Sequence, residues 1–319
     1  MHAYIRTPPF TPAYLALLHD GRLQERVSAA WRHMKDCDLC ARYCHTNRLQ
    51  TRKGAVCRTG EQARVYSFGP HHGEEDPLRG SRGSGTIFFS WCNLRCVFCQ
   101  NWEISHKGAG EEVEPEELAG MMLALQRQGC HNINLVSPSH VVAQIIAAVA
   151  IAARKGLRLP LVYNTGGYDS PEALALLDGI IDIYMPDMKY GDSDIARRYS
   201  RVRDYVRVNR VAVREMHRQV GDLVLDEHGV ALRGLLIRHL VLPGDLAGTE
   251  QVLAFIAGDI SPYTYLNLMD QYHPCYRAGD YPPLDRPLQA AEFEAAGEIA
   301  ARHHLHRLDR RRGWPAPPV

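Results

Sequence analysis

Three cysteines, Cys92, Cys96 and Cys99, stand at C-x3-C-x2-C spacing, close enough for one loop to turn all three thiols toward a common centre. Structural zinc and fully ligated four-iron clusters generally take four protein ligands, so three imply a metal centre with an open coordination position, as catalytic sites keep. Cys130 and Cys275 could add a fourth ligand, but a lone distant cysteine reads more simply as a small buried apolar residue. A second group, Cys37, Cys40, Cys44 and Cys57, offers four thiols, enough to close a zinc or iron-sulfur site completely. Arg42, His45, Arg48, Arg52 and Arg58 fall among them and would neutralise thiolates and ease their ionisation. Residues 1–11 carry prolines and no apolar signal core, so the nine cysteines are read as metal or redox ligands of a cytoplasmic chain rather than as a disulfide scaffold.

These residues need elements to hold them. Apolar runs of strand length at 86–91, 132–136, 161–164, 181–186, 235–242 and 263–269 alternate with amphipathic runs of helix length at 115–128, 141–155, 171–177, 194–200 with 210–220, and 249–257. Alternation of this kind implies parallel strands joined by right-handed crossovers. Six such units predict an α/β fold, a partial (β/α)6 barrel of parallel strands, closed by a last helix near 288–304. Residues 1–84, helix-like and Cys-rich, are expected to form an N-terminal metal-binding extension, 85–309 the barrel with its C-terminal helix, and 310–319 a disordered tail.

Barrels bind at the C-terminal ends of their strands. There the sequence places Cys92, then Ser137, Ser139 and His140, then Asn164 to Gly167, then Asp187 and Lys189, then Pro243 and Gly244, and finally Tyr272 and His273. Asp187 and Lys189 are two apart and share one side of an extended chain, so they can bind a zwitterion or pair with each other. Ser137 and Ser139 are candidates for a polar contact or for capping the helix that follows. In Arg238-His239, alternation lets only one side chain point inward.

Composition narrows the class. A chain of 319 residues with 45% hydrophobic and 23% charged residues is an ordinary globular protein. Its net charge of +1 gives no global field for nucleic acid or anionic lipid. The longest apolar stretch, 141–153, falls short of the roughly 20 residues that span a bilayer.

The run from Cys92 to Ser105, C-x3-C-x2-C followed by Gln100-Asn101-Trp102-Glu103-Ile104-Ser105, resembles the cysteine loop of the radical S-adenosylmethionine superfamily. In particular it resembles the branch related to pyruvate formate-lyase-activating enzyme. The resemblance implies a four-iron, four-sulfur (4Fe-4S) cluster on Cys92, Cys96 and Cys99, with S-adenosylmethionine chelating the open iron and cleaved reductively to a deoxyadenosyl radical that takes a hydrogen atom from substrate. It also implies a role beside the adenine for Phe98 and contacts to the cosubstrate from Ser137, Ser139 and Asn164. Asp187-Met188-Lys189 and the Tyr272-His273 pair resemble active-site positions of the activating enzymes, which makes Asp187, Lys189 and His273 the catalytic candidates. The Gly-Gly-Glu stretch common in the superfamily is replaced here by Ser137-Pro138-Ser139.

By the same resemblance the substrate is a protein or peptide, with a glycyl radical enzyme among the candidates, and the reductant is an electron donor such as flavodoxin or ferredoxin. The single four-Cys group lies before the cluster loop, unlike the double insertion after it in activases with extra clusters, so a radical enzyme acting on a small metabolite is the alternative. A zinc-binding interaction module is the alternative from another class.

Overall fold

The computed structural model describes residues 10–309; the tail expected at 310–319 lies outside the described residues. Among these, the strands are β1 (Ala63–His71), β2 (Ser84–Phe89), β3 (Glu111–Val113), β4 (Ile133–Val136), β5 (Leu161–Thr165), β6 (Ile183–Pro186), β7 (Val224–Leu225), β8 (Ala231–Leu240) and β9 (Tyr265–Met269). The helices are α1 (Tyr14–His19), α2 (Arg22–His33), α3 (Asp76–Arg79), α4 (Trp102–Ser105), α5 (Pro115–Arg127), α6 (Val142–Arg154), α7 (Pro171–Leu177), α8 (Ser193–Ser200), α9 (Tyr205–Val220), α10 (Thr249–Phe255) and α11 (Ala290–Arg302). No helix among the described residues is long and apolar enough to cross a membrane.

Strands β2, β4, β5, β6, β8 and β9 are parallel and neighbour one another in that order. They are the six strands expected from the apolar runs, and they form the partial barrel. β9 pairs β8, while β2 pairs β4 and β1, so the parallel sheet stays open between its first and last strands. β1 extends it antiparallel to β2, β3 adds to β1, and β7 borders β8.

The sequence pattern misses β1, β3 and β7. β3 and β7 span only three and two residues, too short for a period-2 signal. In β1 the register shifts between Val65 and Ser67, and such a bulge throws successive side chains off strict alternation. The segment before Gly85 is therefore helical only in part. Its helices α1 and α2 bury Tyr14, Leu17, Leu23, Ala30 and Met34 in the same core as Ile145 and Val149 of α6. α10 is shorter than its apolar run, giving way to a π-helical turn at Ile256–Ile260.

Two faces of the barrel strands do different work. Ile87, Leu135, Tyr163, Tyr184, Leu235 and Ile237 face the helices in the main core. Val162, Ile183, Met185 and Leu236 belong to a separate interior cluster with Leu78 of α3. Two residues further along β5 and β8, on the same face, stand Asn164 and Arg238. The interior thus passes from apolar to polar toward the strand ends, which is where the site lies.

Candidate functional site

After β2 the chain turns through Trp91, at φ 67°, into the cysteine loop. The loop is held by backbone: Arg95 N donates to Ser200 O at 3.0 Å and Val97 N to Tyr199 O at 2.8 Å, fixing it to the end of α8. Ser200 Oγ lies 2.9 Å from Cys96 Sγ, and Ser105 Oγ 3.1 Å from Cys99 Sγ. Leu94 N donates to Cys92 Sγ at 3.4 Å. All three thiols line one cavity of about 160 Å³, together with Asn101, Ser105, Ser137, Asn164, Asp187, Lys189 and Arg238. Burial pushes up the thiols of Cys92 and Cys96, the latter to about 12, against the pull of Lys189. Positive charge at the centre of the loop is what would ionise them.

Opposite the thiols lies an ionic trio. Lys189 Nζ is 2.6 Å from Asp187 Oδ2, and Arg238 Nε is 2.8 Å from Asp187 Oδ1. The other arm of the guanidinium, Nη2, donates to Asn164 Oδ1 at 2.7 Å. Burial alone would raise the Asp187 carboxyl, but the charges of Arg238 and Lys189 outweigh it and hold the group below its usual range. Asp187 and Lys189 pair with each other, and both side chains line the cavity. Gly167 lets the backbone pass close beneath: at φ +74° an added Cβ would sit 2.3 Å from Asp187 O and 2.2 Å from Asn209 Nδ2.

Some sequence candidates are placed elsewhere. Ser137 lines the cavity at φ 59° and donates its N–H to Asn164 O at 2.9 Å. Ser139 is not in the lining; its hydroxyl sits 2.9 Å from Thr165 Oγ1. Neither caps α6, whose N-cap is Val141 with no side-chain hydrogen bond. Phe98 is buried behind the loop, edge-on to Tyr190 and Tyr272 at 6.5 and 6.0 Å. His273 is exposed, its Nδ1 3.2 Å from Gln271 O, and lies outside the cavity lining because the chain after β9 turns it outward. His140 is fully buried with Nε2 2.9 Å from Ser90 O, and burial drives its pKa down to about 3. Of the Arg238-His239 pair, Arg238 points inward, whereas His239 bonds Met188 O at 2.6 Å and Thr249 Oγ1 at 3.1 Å.

Sequence reasoning gave no role to Ser105, Ser200 or Asn101. Ser200 reaches Cys96 from a helix far along the chain, a contact that leaves no mark in spacing.

The N-terminal cysteines lie beside this loop. Arg95 Nη1 donates to Ser105 O at 2.8 Å and its Nη2 to Val56 O, next to Cys57, while Arg42 Nε donates to Asn93 O at 2.6 Å. Arg48 is 2% exposed with Nη1 3.5 Å from Cys37 Sγ. Burial first, then the neighbouring Cys57, Cys37 and Cys44, push the Cys40 thiol far up. Among the described residues no three His, Cys, Asp or Glu side chains converge on a single metal ion, here or in the cluster loop.

The residues of the cluster loop fit an iron-sulfur cluster with one open position. Three soft donors border one cavity, and the far wall offers a cation, a carboxylate and an amide for an amino-acid ligand of the open iron. Residues 86–225 match the Radical SAM superfamily. The chain is 32% identical over 293 residues to uncharacterized protein MJ0674 of Methanocaldococcus jannaschii, covering 89% of this chain and 79% of that protein. Among solved structures it is similar to a radical SAM methyltransferase from Sphaerobacter thermophilus (14% identity, TM-score 0.46, covering 73% of this chain and 65% of that one). It is also similar to methylornithine synthase (15% identity, TM-score 0.46, covering 68% and 62%). It spans less than two thirds of the length of those two solved chains. With residues 86–225 matching that family and three loop thiols on one cavity at the ends of six parallel strands, the chain belongs to the radical SAM superfamily, whose members carry a 4Fe-4S cluster and use S-adenosylmethionine.

Proposed function

We propose that this protein uses S-adenosylmethionine cleavage to abstract hydrogen from a protein or peptide substrate, as an activating enzyme does for a glycyl radical partner, with reducing electrons from a flavodoxin- or ferredoxin-type donor. Cys92, Cys96 and Cys99 would hold the cluster, which when bound supplies an electron to the sulfonium. The chain's own part is binding and orientation. Lys189 would receive the methionine carboxylate and Asp187 the ammonium, while Arg238, itself bonded to Asn164, keeps Asp187 in position. Phe98, Leu94 and the packing around Tyr190 keep water from the thiols.

The observation that carries the reading is the continuity of the cavity. The thiol-lined space shares Asn101, Val136, Asn164 and Arg238 with a second one of about 270 Å³ inside the barrel, so a second molecule can reach the first. The same volume favours a second reading, an amino-acid-sized metabolite as substrate. We also propose that Cys37, Cys40, Cys44 and Cys57 hold a second metal centre, zinc or iron-sulfur; the support is buried Arg48 turned on Cys37.

The test is anaerobic reconstitution followed by dithionite and S-adenosylmethionine. Wild type should form deoxyadenosine and Cys96→Ala should not. Equal yields from both would sink the assignment.

A further inference from the structure

Two helices follow β6, and only the second returns along the barrel. α9 buries Ala212, Val213 and Met216 in the main core. α8 instead buries Ala196 and Tyr199 among Leu94, Cys96, Val97 and Phe98 of the cysteine loop. Its last residues hold that loop from outside: Ser200 O and Tyr199 O accept Arg95 N and Val97 N, and Ser200 Oγ is 2.9 Å from Cys96 Sγ. Arg197, Arg198, Arg201 and Arg203 stand in and just after this turn. All four are exposed, and none makes an ion pair among the described residues.

The acids of this stretch are engaged or stand at its far end. Asp192 caps the start of α8, its Oδ1 accepting Asp194 N at 2.6 Å and Ile195 N at 3.1 Å. Asp204 Oδ2 lies 3.8 Å from Arg207, and Asp280 pairs with Arg277 at 3.0 Å. Tyrosines back the guanidinium groups: Arg198 Cζ is 5.1 Å over the Tyr199 ring, and Arg201 Nη2 donates to Tyr281 OH at 3.2 Å. Four such groups between residues 197 and 203, on a chain whose net charge is +1, make a local field of one sign. Arginine beside tyrosine is the composition of contact surfaces. None of the four lines the thiol cavity, so a partner bound to them sits on the outer side of the loop, next to Cys96, and is not the molecule that reacts inside. An electron, unlike a hydrogen atom taken from substrate, needs nearness and no opening.

We propose that Arg197, Arg198, Arg201 and Arg203 form the docking surface for the electron donor, and that the donor is a redox protein with an acidic surface around its flavin or iron-sulfur centre. Its role rests on the proposed radical chemistry; its binding does not. The transfer is one electron from the donor's reduced centre to the cluster, with no bond made or broken. Complementary charge of this kind steers encounter and fixes orientation, and it weakens as salt shortens the reach of exposed charges to about 10 Å at 0.1 M.

Binding is measured by calorimetry on the full-length, anaerobically reconstituted chain without S-adenosylmethionine. The probes are oxidised flavodoxin, an oxidised plant-type ferredoxin and, as a polyanion of another class, a short single-stranded RNA. At least one redox protein should bind, with an affinity that falls about tenfold between roughly 50 and 300 mM salt. Combining Arg197→Gln, Arg198→Gln, Arg201→Gln and Arg203→Gln should weaken it at least about tenfold. The matched control combines Arg127→Gln, Arg154→Gln, Lys155→Gln and Arg158→Gln, an equal loss of charge where α5 and α6 end, ahead of β4 and β5; it should bind as wild type does. Binding of neither redox protein, affinity indifferent to salt, an unchanged affinity in the arginine variant, an equal loss in the control, or tighter binding of the RNA would each overturn the proposal. The salt series on wild type stands alone should the combined variant not fold. Driven by dithionite, the arginine variant should form deoxyadenosine at the wild-type rate; driven by the bound redox protein and its reductase, about tenfold more slowly, and equal rates there would also overturn the proposal. Failure of wild type with dithionite would sink the cluster reading and leave the binding equilibrium standing, whereas loss of docking leaves dithionite-driven cleavage intact.

Discussion

Arg238 Nε donates to Asp187 Oδ1 at 2.8 Å, joining the neighbouring strands β8 and β6 at the mouth of the barrel. The bond leaves the second carboxylate oxygen for Lys189, at 2.6 Å. Arg238 divides its guanidinium between Asp187 and Asn164, whereas Lys189 Nζ bonds Asp187, so under the proposed function Lys189 is the arm that exchanges its partner for a ligand carboxylate.

Lys189→Ala should weaken S-adenosylmethionine binding by roughly ten- to a hundredfold, since a charged hydrogen bond is worth about 1.5–3 kcal/mol and each 1.4 kcal/mol is a factor of ten. The cluster's absorption spectrum should not change. Equilibrium dialysis of the cosubstrate checks this. Lower thermal stability with unchanged affinity would reduce Lys189 to a structural partner of Asp187.

Cys40→Ser should lower the metal content by the share of the N-terminal centre while leaving the cluster at Cys92, Cys96 and Cys99 loadable. The variant should also be less stable, because Cys40 is buried among three other thiols. Metal analysis per chain decides: identical zinc and iron in variant and wild type would remove the second centre.

Asp182 predicts a pH dependence of stability. It is 1% exposed and accepts Ala13 N at 2.9 Å and Leu161 N at 3.0 Å, and burial lifts its pKa to about 7 despite both bonds. In the unfolded chain it titrates near the usual ~3.9. Between those values the folded state binds the extra proton, so stability should fall as pH rises from about 4 to 7, by up to about 1.4 kcal/mol per unit. Denaturant melts at pH 5 and pH 8 test it. The decline should be smaller in Asp182→Asn; the same decline in both proteins would place its source elsewhere.

The six parallel strands and the loop Cys92 to Cys99 were legible in the sequence because both are local patterns. Apolar runs of strand length alternating with amphipathic runs need only neighbouring residues to be read, and three thiols within one loop are a matter of spacing. The order of chemistry-bearing residues at strand ends followed from the barrel rule, and put Asn164, Asp187 and Lys189 where the structure has them. What the fold alone decided depends on residues far apart in sequence. Arg238 faces inward and His239 outward because β8 pairs β9 in one register, Arg238 beside Asn267, and no local pattern chooses between the two faces. Ser200 meets Cys96 across 104 residues, and Glu75 meets Asn267 across 192. The seam between β2 and β9 exists only once six strands have curled without closing.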